Sequence, residues 1–119
     1  MNTEQLKKFC LSFPGASERL YQAPTNILTY SVDDRIFAYF KTSQPEQWRF
    51  SIRTSPDRFL ELTDMPGIKS ARFRGRFHWV TIVTVDSFPE DYLRELVTSS
   101  YRKALSLLSK TKQSAVIKP

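Results

Sequence analysis

The stretch NILTYSVDDRIFAYF, residues 26–40, decides the fold. Leu28, Tyr30 and Val32 fall on one side of an extended segment over residues 26–32, Asp33-Asp34 supplies the turn, and residues 35–40 return beside it. Two strand-like runs joined by two acidic residues predict an antiparallel hairpin. A polar loop over residues 41–47, broken by Pro45, leads to residues 48–53, which alternate again. Trp48, Phe50 and Ile52 point one way; Arg49, Ser51 and Arg53 point the other. That is the pattern of a strand with one face on the core and one in water.

Outward toward the N-terminus, Leu6, Phe9, Cys10 and Phe13 follow helical spacing over residues 3–13, with Asn2 or Thr3 as cap and Pro14-Gly15 as stop. Residues 15–25 read as irregular. Toward the C-terminus, Thr54-Ser55-Pro56-Asp57 starts a short helix that turns Phe59, Leu60 and Leu62 inward, and Pro66-Gly67 ends it. Residues 68–73 and 76–85 read as two strands around Arg74-Gly75; the second is apolar on both faces and belongs in the middle of a sheet. Ser87-Phe88-Pro89-Glu90 reads as a capping box. It opens a helix to about residue 109, with Leu93, Leu96, Val97, Ala104, Leu105 and Leu108 as its buried stripe. Residues 110–119 lack periodicity and read as a flexible basic tail. The predicted order is α-β-β-β-α-β-β-α. It forms a two-layer α+β domain over residues 1–109, with an antiparallel sheet and helices packed mainly on one face.

The chain has 119 residues, 40% of them hydrophobic, and a formal charge of +6. That length fits one folded domain with its own core. The charge is uneven. Residues 65–85 hold Lys69, Arg72, Arg74 and Arg76 and no acid; residues 96–119 hold Arg102, Lys103, Lys110, Lys112 and Lys118 and no acid. A local cationic excess makes a directed field that attracts an anionic partner. Cys10 is the one cysteine, which excludes an internal disulfide and a Cys-rich zinc site; its spacing places it on an apolar helix face. No apolar run reaches membrane-spanning length, and residues 1–5 lack the charged and apolar regions of a signal peptide. A cytoplasmic protein that engages no membrane is the expectation.

Catalytic chemistry finds little support. Nucleophilic hydrolysis needs a nucleophile, a base and an orienting group, and His78 is the chain's one imidazole. Three glycines and no phosphate-cradling loop argue against a nucleotide cofactor. Asp33-Asp34 sits where acids serve turns, so no metal cluster is expected. The arginines are the remaining chemistry. Guanidinium groups pair bidentately with phosphate and stack on bases. Arg72 and Arg74 fall on one face of the expected strand, Arg76 joins them across Gly75, and Lys69, Arg49 and Arg53 widen the patch. Trp79 is placed either to stack on a base or to fill the core.

Several short pieces resemble the MmcQ/YjbR-like family of small bacterial proteins. They are Cys10-Leu11-Ser12-Phe13-Pro14-Gly15-Ala16, Arg35-Ile36-Phe37-Ala38, Arg53-Thr54-Ser55-Pro56, His78-Trp79 and Ser99-Ser100-Tyr101, in an order that spans residues 6–108. The resemblance implies a two-layer fold similar to secretion chaperones, paired wing-like hairpins and DNA binding. Arg35 keeps the basic residue of the family's strand motif. Where the family has an Asn-Lys pair before His-Trp, this chain has Gly75-Arg76, which keeps charge and loses an amide side chain. That departure favours gripping the phosphate backbone over reading bases. The expectation is a non-catalytic DNA-binding protein without a cofactor. Its phosphate contacts are Arg72, Arg74, Arg76, Lys69, Arg49 and Arg53, with Arg35, His78 and Trp79 as lesser candidates. A protein-interaction module or chaperone-like adaptor is the alternative.

Overall fold

The structure is a computed structural model that describes residues 1–72 and 74–117, with Arg76 described by its backbone alone. Its elements are α1 (Thr3–Leu11), β1 (Ala16–Tyr21), β2 (Ile27–Val32), β3 (Arg35–Lys41), β4 (Phe50–Arg53), α2 (Pro56–Thr63), β5 (Ile68–Ser70), β6 (Trp79–Ile82), α3 (Glu90–Ser106) and α4 (Lys110–Ile117). The strands form one antiparallel six-stranded sheet in the order β1-β2-β3-β4-β6-β5. The fold is the α+β architecture expected, with a strand and a helix more than the sequence pattern predicted.

The pairing register explains why the sheet has two unlike faces, because directly paired residues share a face. One row runs Leu28, Phe40, Phe50, Ile82, Ile68, and the next runs Tyr30, Ala38, Ile52, Val80. All of these side chains are buried. They meet Leu6 and Cys10 of α1, Leu62 of α2 and Leu93, Leu96, Val97 and Tyr101 of α3 in one core. The Ser100 hydroxyl of α3 donates to the Phe37 carbonyl, and the Tyr101 hydroxyl donates to the Pro14 carbonyl at 2.6 Å, so α3 is fixed by polar contacts as well as by packing. Burial pushes the Cys10 thiol upward in pKa, as for a cysteine that fills space.

Four expectations about these elements need correction. Residues 16–21, read as irregular, form edge strand β1, which pairs with β2 from Ala16↔Val32 to Tyr21↔Ile27. Its middle residues are exposed and include Glu18 and Arg19, so it carries no apolar alternation. Trp48 lies outside β4 with φ +68°, and its ring packs near Phe40 with the Lys7 ammonium 4.2 Å above it. Leu60, expected inside, is 69% exposed, because α2 turns Leu62 inward and places Leu60 on the far side. The capping box at Ser87 does not form: the Ser87 hydroxyl donates to the Thr84 carbonyl, and Pro89 stands at the N-cap of α3. The capping box belongs instead to α1, where Asn2 and Gln5 exchange side-chain and backbone bonds at 2.8 and 2.9 Å.

The tail is likewise more ordered than its pattern implies. Residues 110–117 are helical, Val116 packs against the core, and Lys112 bonds Asp33 of the β2–β3 turn at 3.2 Å. Lys118 lies outside the described residues. Among the described residues no helix is long and apolar enough to cross a membrane.

Candidate nucleic-acid interface

Among the described residues the α-helices pack on the core side of the sheet, and the other face is left open. Its central row runs across all six strands as Arg19, Thr29, Tyr39, Ser51, Thr81 and Lys69. The same alternation that buries Phe40, Phe50 and Ile82 therefore presents polar and cationic side chains on the reverse. Ser51 and Thr81, paired across β4 and β6, hold their hydroxyl oxygens 2.7 Å apart. Lys41, the last residue of β3, shares the Tyr39 side, and its ammonium donates to the Thr25 carbonyl at 3.1 Å.

The connection between β5 and β6 stands over this face. Residues 68–73 and 76–85 were expected to be strands, but β5 ends at Ser70 and β6 begins at Trp79. Between them the chain curls. Ala71 N–H donates to the Trp79 carbonyl, Gly75 N–H donates to the Ala71 carbonyl at 2.8 Å, and a 3-10 turn covers Gly75–Phe77. Gly75 is placed so tightly that an added Cβ would sit 1.9 Å from the Ser70 hydroxyl oxygen. His78 then takes the left-handed conformation, φ +69°, to re-enter the sheet. Phe73 and the Arg76 side chain lie outside the described residues, so the role expected of Arg76 rests on sequence alone.

This connection and the β3–β4 loop wall a basin of about 590 Å³ on the open face. Lys41, Arg49, Lys69, Arg72 and Arg74 line it, with Glu46 as its one acid among the described residues. Tyr39, Ser51 and Thr81 form its floor. Four of the six residues expected to contact phosphate, Arg49, Lys69, Arg72 and Arg74, are thus gathered from β5, the β5–β6 connection and the approach to β4. Glu46 lies 3.3 Å from Arg49 and 3.7 Å from Arg72, one carboxylate between two guanidinium groups. Lys41, Lys69 and Arg74 have no carboxylate within ion-pair distance among the described residues. Arg74 is half-buried. Its guanidinium carbon lies 5.5 Å from the Tyr39 ring centre and 5.3 Å from that of Trp79, and the two rings are 5.7 Å apart.

The remaining candidates lie elsewhere. Arg53 and Arg35 border a second recess of about 310 Å³ toward the C-terminal end of α3, which meets the basin at Arg74. Arg35 also lies 3.9 Å from Asp34. Trp79 is 5% exposed beneath Arg74, so its ring supports the guanidinium. The His78 ring packs edge-on against Phe59 of α2 at 5.6 Å, and its carbonyl accepts from the Thr54 N–H and hydroxyl. Among the described residues no group of three or more His, Cys, Asp and Glu side chains is placed to hold a metal ion. Sequence reading missed Lys41 and Tyr39, although continuing the β3 alternation by one residue, past Phe40, would have placed both on the Arg49 face. It missed Glu46 because nothing in a polar loop marks where its acid will land.

Residues 11–103 match the sequence model of the YjbR family. The chain is 25% identical to the YjbR protein of Escherichia coli K12 over 118 residues, 98% of each chain. The crystal structure of Deinococcus radiodurans protein DR2400 superposes with a TM-score of 0.83 at 22% identity, over 99% of this chain and 89% of the other. That of a Pseudomonas syringae protein gives 0.69 at 14% identity, over 87% of this chain and 99% of the other. With its match covering most of its length, the chain belongs to the YjbR family.

Proposed function

We propose that this protein is a non-catalytic, cytoplasmic DNA-binding protein that grips the phosphate backbone through the open face of its sheet. One observation carries the reading: among the described residues, five cationic side chains from separate parts of the chain converge on one concave surface that holds a single carboxylate. Cations clustered above low-dielectric walls focus a positive field, and neutralised phosphates release condensed counterions. The cationic device is broader than an arginine-tipped hairpin, since Lys41 and Arg49 face the β5–β6 connection across the basin. His78, the chain's one imidazole, packs against Phe59 and is not among the described residues that line the basin.

The test is charge reversal of Arg49, Lys69 and Arg72 to Glu in one variant, followed by retention on heparin and duplex DNA. Loss of retention with an unchanged circular dichroism spectrum and melting temperature is expected. Undiminished retention by the folded variant contradicts the reading and leaves a protein partner as the alternative for this face.

A further inference from the structure

We infer that the basin receives an unpaired nucleotide, so that the protein prefers single-stranded to duplex DNA. This rests on the DNA-binding reading above and adds to it the form of the ligand. The first support is shape. A cavity of about 590 Å³ falls within the size of pockets that enclose a small ligand, and its polar floor lies below the cations. A duplex offers its ridge of phosphates to such a surface and keeps its bases paired inside. The half-buried Tyr39 and Thr81 and the buried Ser51 would then face nothing. An unpaired nucleotide turns a base edge, with donors and acceptors both, toward the two hydroxyls held 2.7 Å apart on the floor.

The second support is Arg74. Trp79 cannot offer a ring face to a base because it is buried under the guanidinium. Arg74 is half-buried and borders the cavity, so the group there able to stack on a base is the guanidinium itself, whose carbon lies within 5.5 Å of both ring centres. A base laid on it would continue a ring–guanidinium–base stack, the sequence-tolerant contact that single-strand sites use. Arg49, Lys69 and Arg72 then surround the nucleotide's phosphates.

The experiment compares a labelled oligothymidylate with a duplex of equal length, at one salt concentration, on the unmodified protein and on Arg74→Lys. The substitution keeps the charge and removes the plane. The expected result is single-strand binding about ten-fold tighter than duplex binding, with Arg74→Lys removing most of that preference and leaving duplex affinity nearly unchanged. Equal or tighter duplex binding that still responds to charge reversal of Arg49, Lys69 and Arg72 overturns the inference and leaves the DNA-binding reading standing. A single-strand preference that survives Arg74→Lys also overturns it, since the stacked plane would not be its source. Binding to neither strand form, or binding indifferent to charge reversal, overturns both. If Arg74→Lys is poorly folded, the strand preference of Arg74→Gln, which also removes the guanidinium plane, is read in its place, and absence of a single-strand preference in the unmodified protein overturns the inference without any variant.

Discussion

The two faces of the sheet are made by the same strands and have opposite contents. Phe50 and Ser51 are neighbours in β4; one lies between Phe40 and Ile82 in the core, the other between Tyr39 and Thr81 on the basin floor. The face under the helices is built from apolar groups that gain by leaving water, and its contribution is stability. The open face keeps cations together that repel one another, with one carboxylate to ease them. A surface arranged that way adds little to folding and is the natural place for a ligand that completes it.

Truncation separates the faces most sharply. Phe50→Ala, at a fully buried position, is expected to cost about 3–5 kcal/mol in urea unfolding. Lys69→Ala on the open row is expected to stay within about 0.5 kcal/mol of the parent while weakening DNA binding. Equal costs at the two positions would erase the distinction. Ser51→Ala tests the boundary between them. Ser51 is 2% exposed yet faces the basin, and its loss strips a partner from the Thr81 hydroxyl, at an expected cost of about 1 kcal/mol. A smaller effect, in binding, is expected of Glu46→Gln. Freeing Arg49 and Arg72 from their shared carboxylate should raise DNA affinity about two- to five-fold at low salt, and weaker binding would show that Glu46 positions the arginines instead of opposing the ligand.

How legible each face was in the sequence follows from the same contrast. Burial imposes a period on the chain. The hairpin of residues 26–40, the alternation through β4 and the stripe of α3 could therefore be read directly, and the α+β sheet followed from them. Edge strand β1 and helix α4 could not, because β1 is held by strand pairing and α4 by Val116 and the Lys112–Asp33 bond, and neither carries a periodic apolar face. Leu60 misled for the opposite reason, as an apolar residue on an outward helix position. On the open face, charge composition identified Arg49, Lys69, Arg72 and Arg74 as candidates. Which of them meet depended on long-range register and on the curled β5–β6 connection, neither of which leaves a local signature. Arg53 alternates with Arg49 yet borders a different recess, because the strand carries it beyond the end of the basin.

The smallest expected effect lies at the rim, away from both faces. The Lys112 ammonium bonded to Asp33, with the Asp34 backbone, holds the Asp33 carboxyl below the ordinary aspartate value of 3.8. A depressed folded pKa means the contribution is present above pH 3.8 and is lost as pH falls through the still lower folded value. Asp33→Asn should therefore lower stability slightly at neutral pH and make no difference in strong acid. A difference that persists at the lowest pH would show that Asp33 supports the turn by its shape and not by its charge.

Whether the open face acts as one cationic surface toward phosphate is tested most directly by the salt dependence of DNA affinity. With four of the described lining cations each neutralising a phosphate, log affinity should fall against log salt with a slope of about −3.6 on duplex DNA. Charge reversal of Arg49, Lys69 and Arg72 should flatten the slope. Affinity that does not change with salt, or an equal slope in the reversed variant, would contradict it.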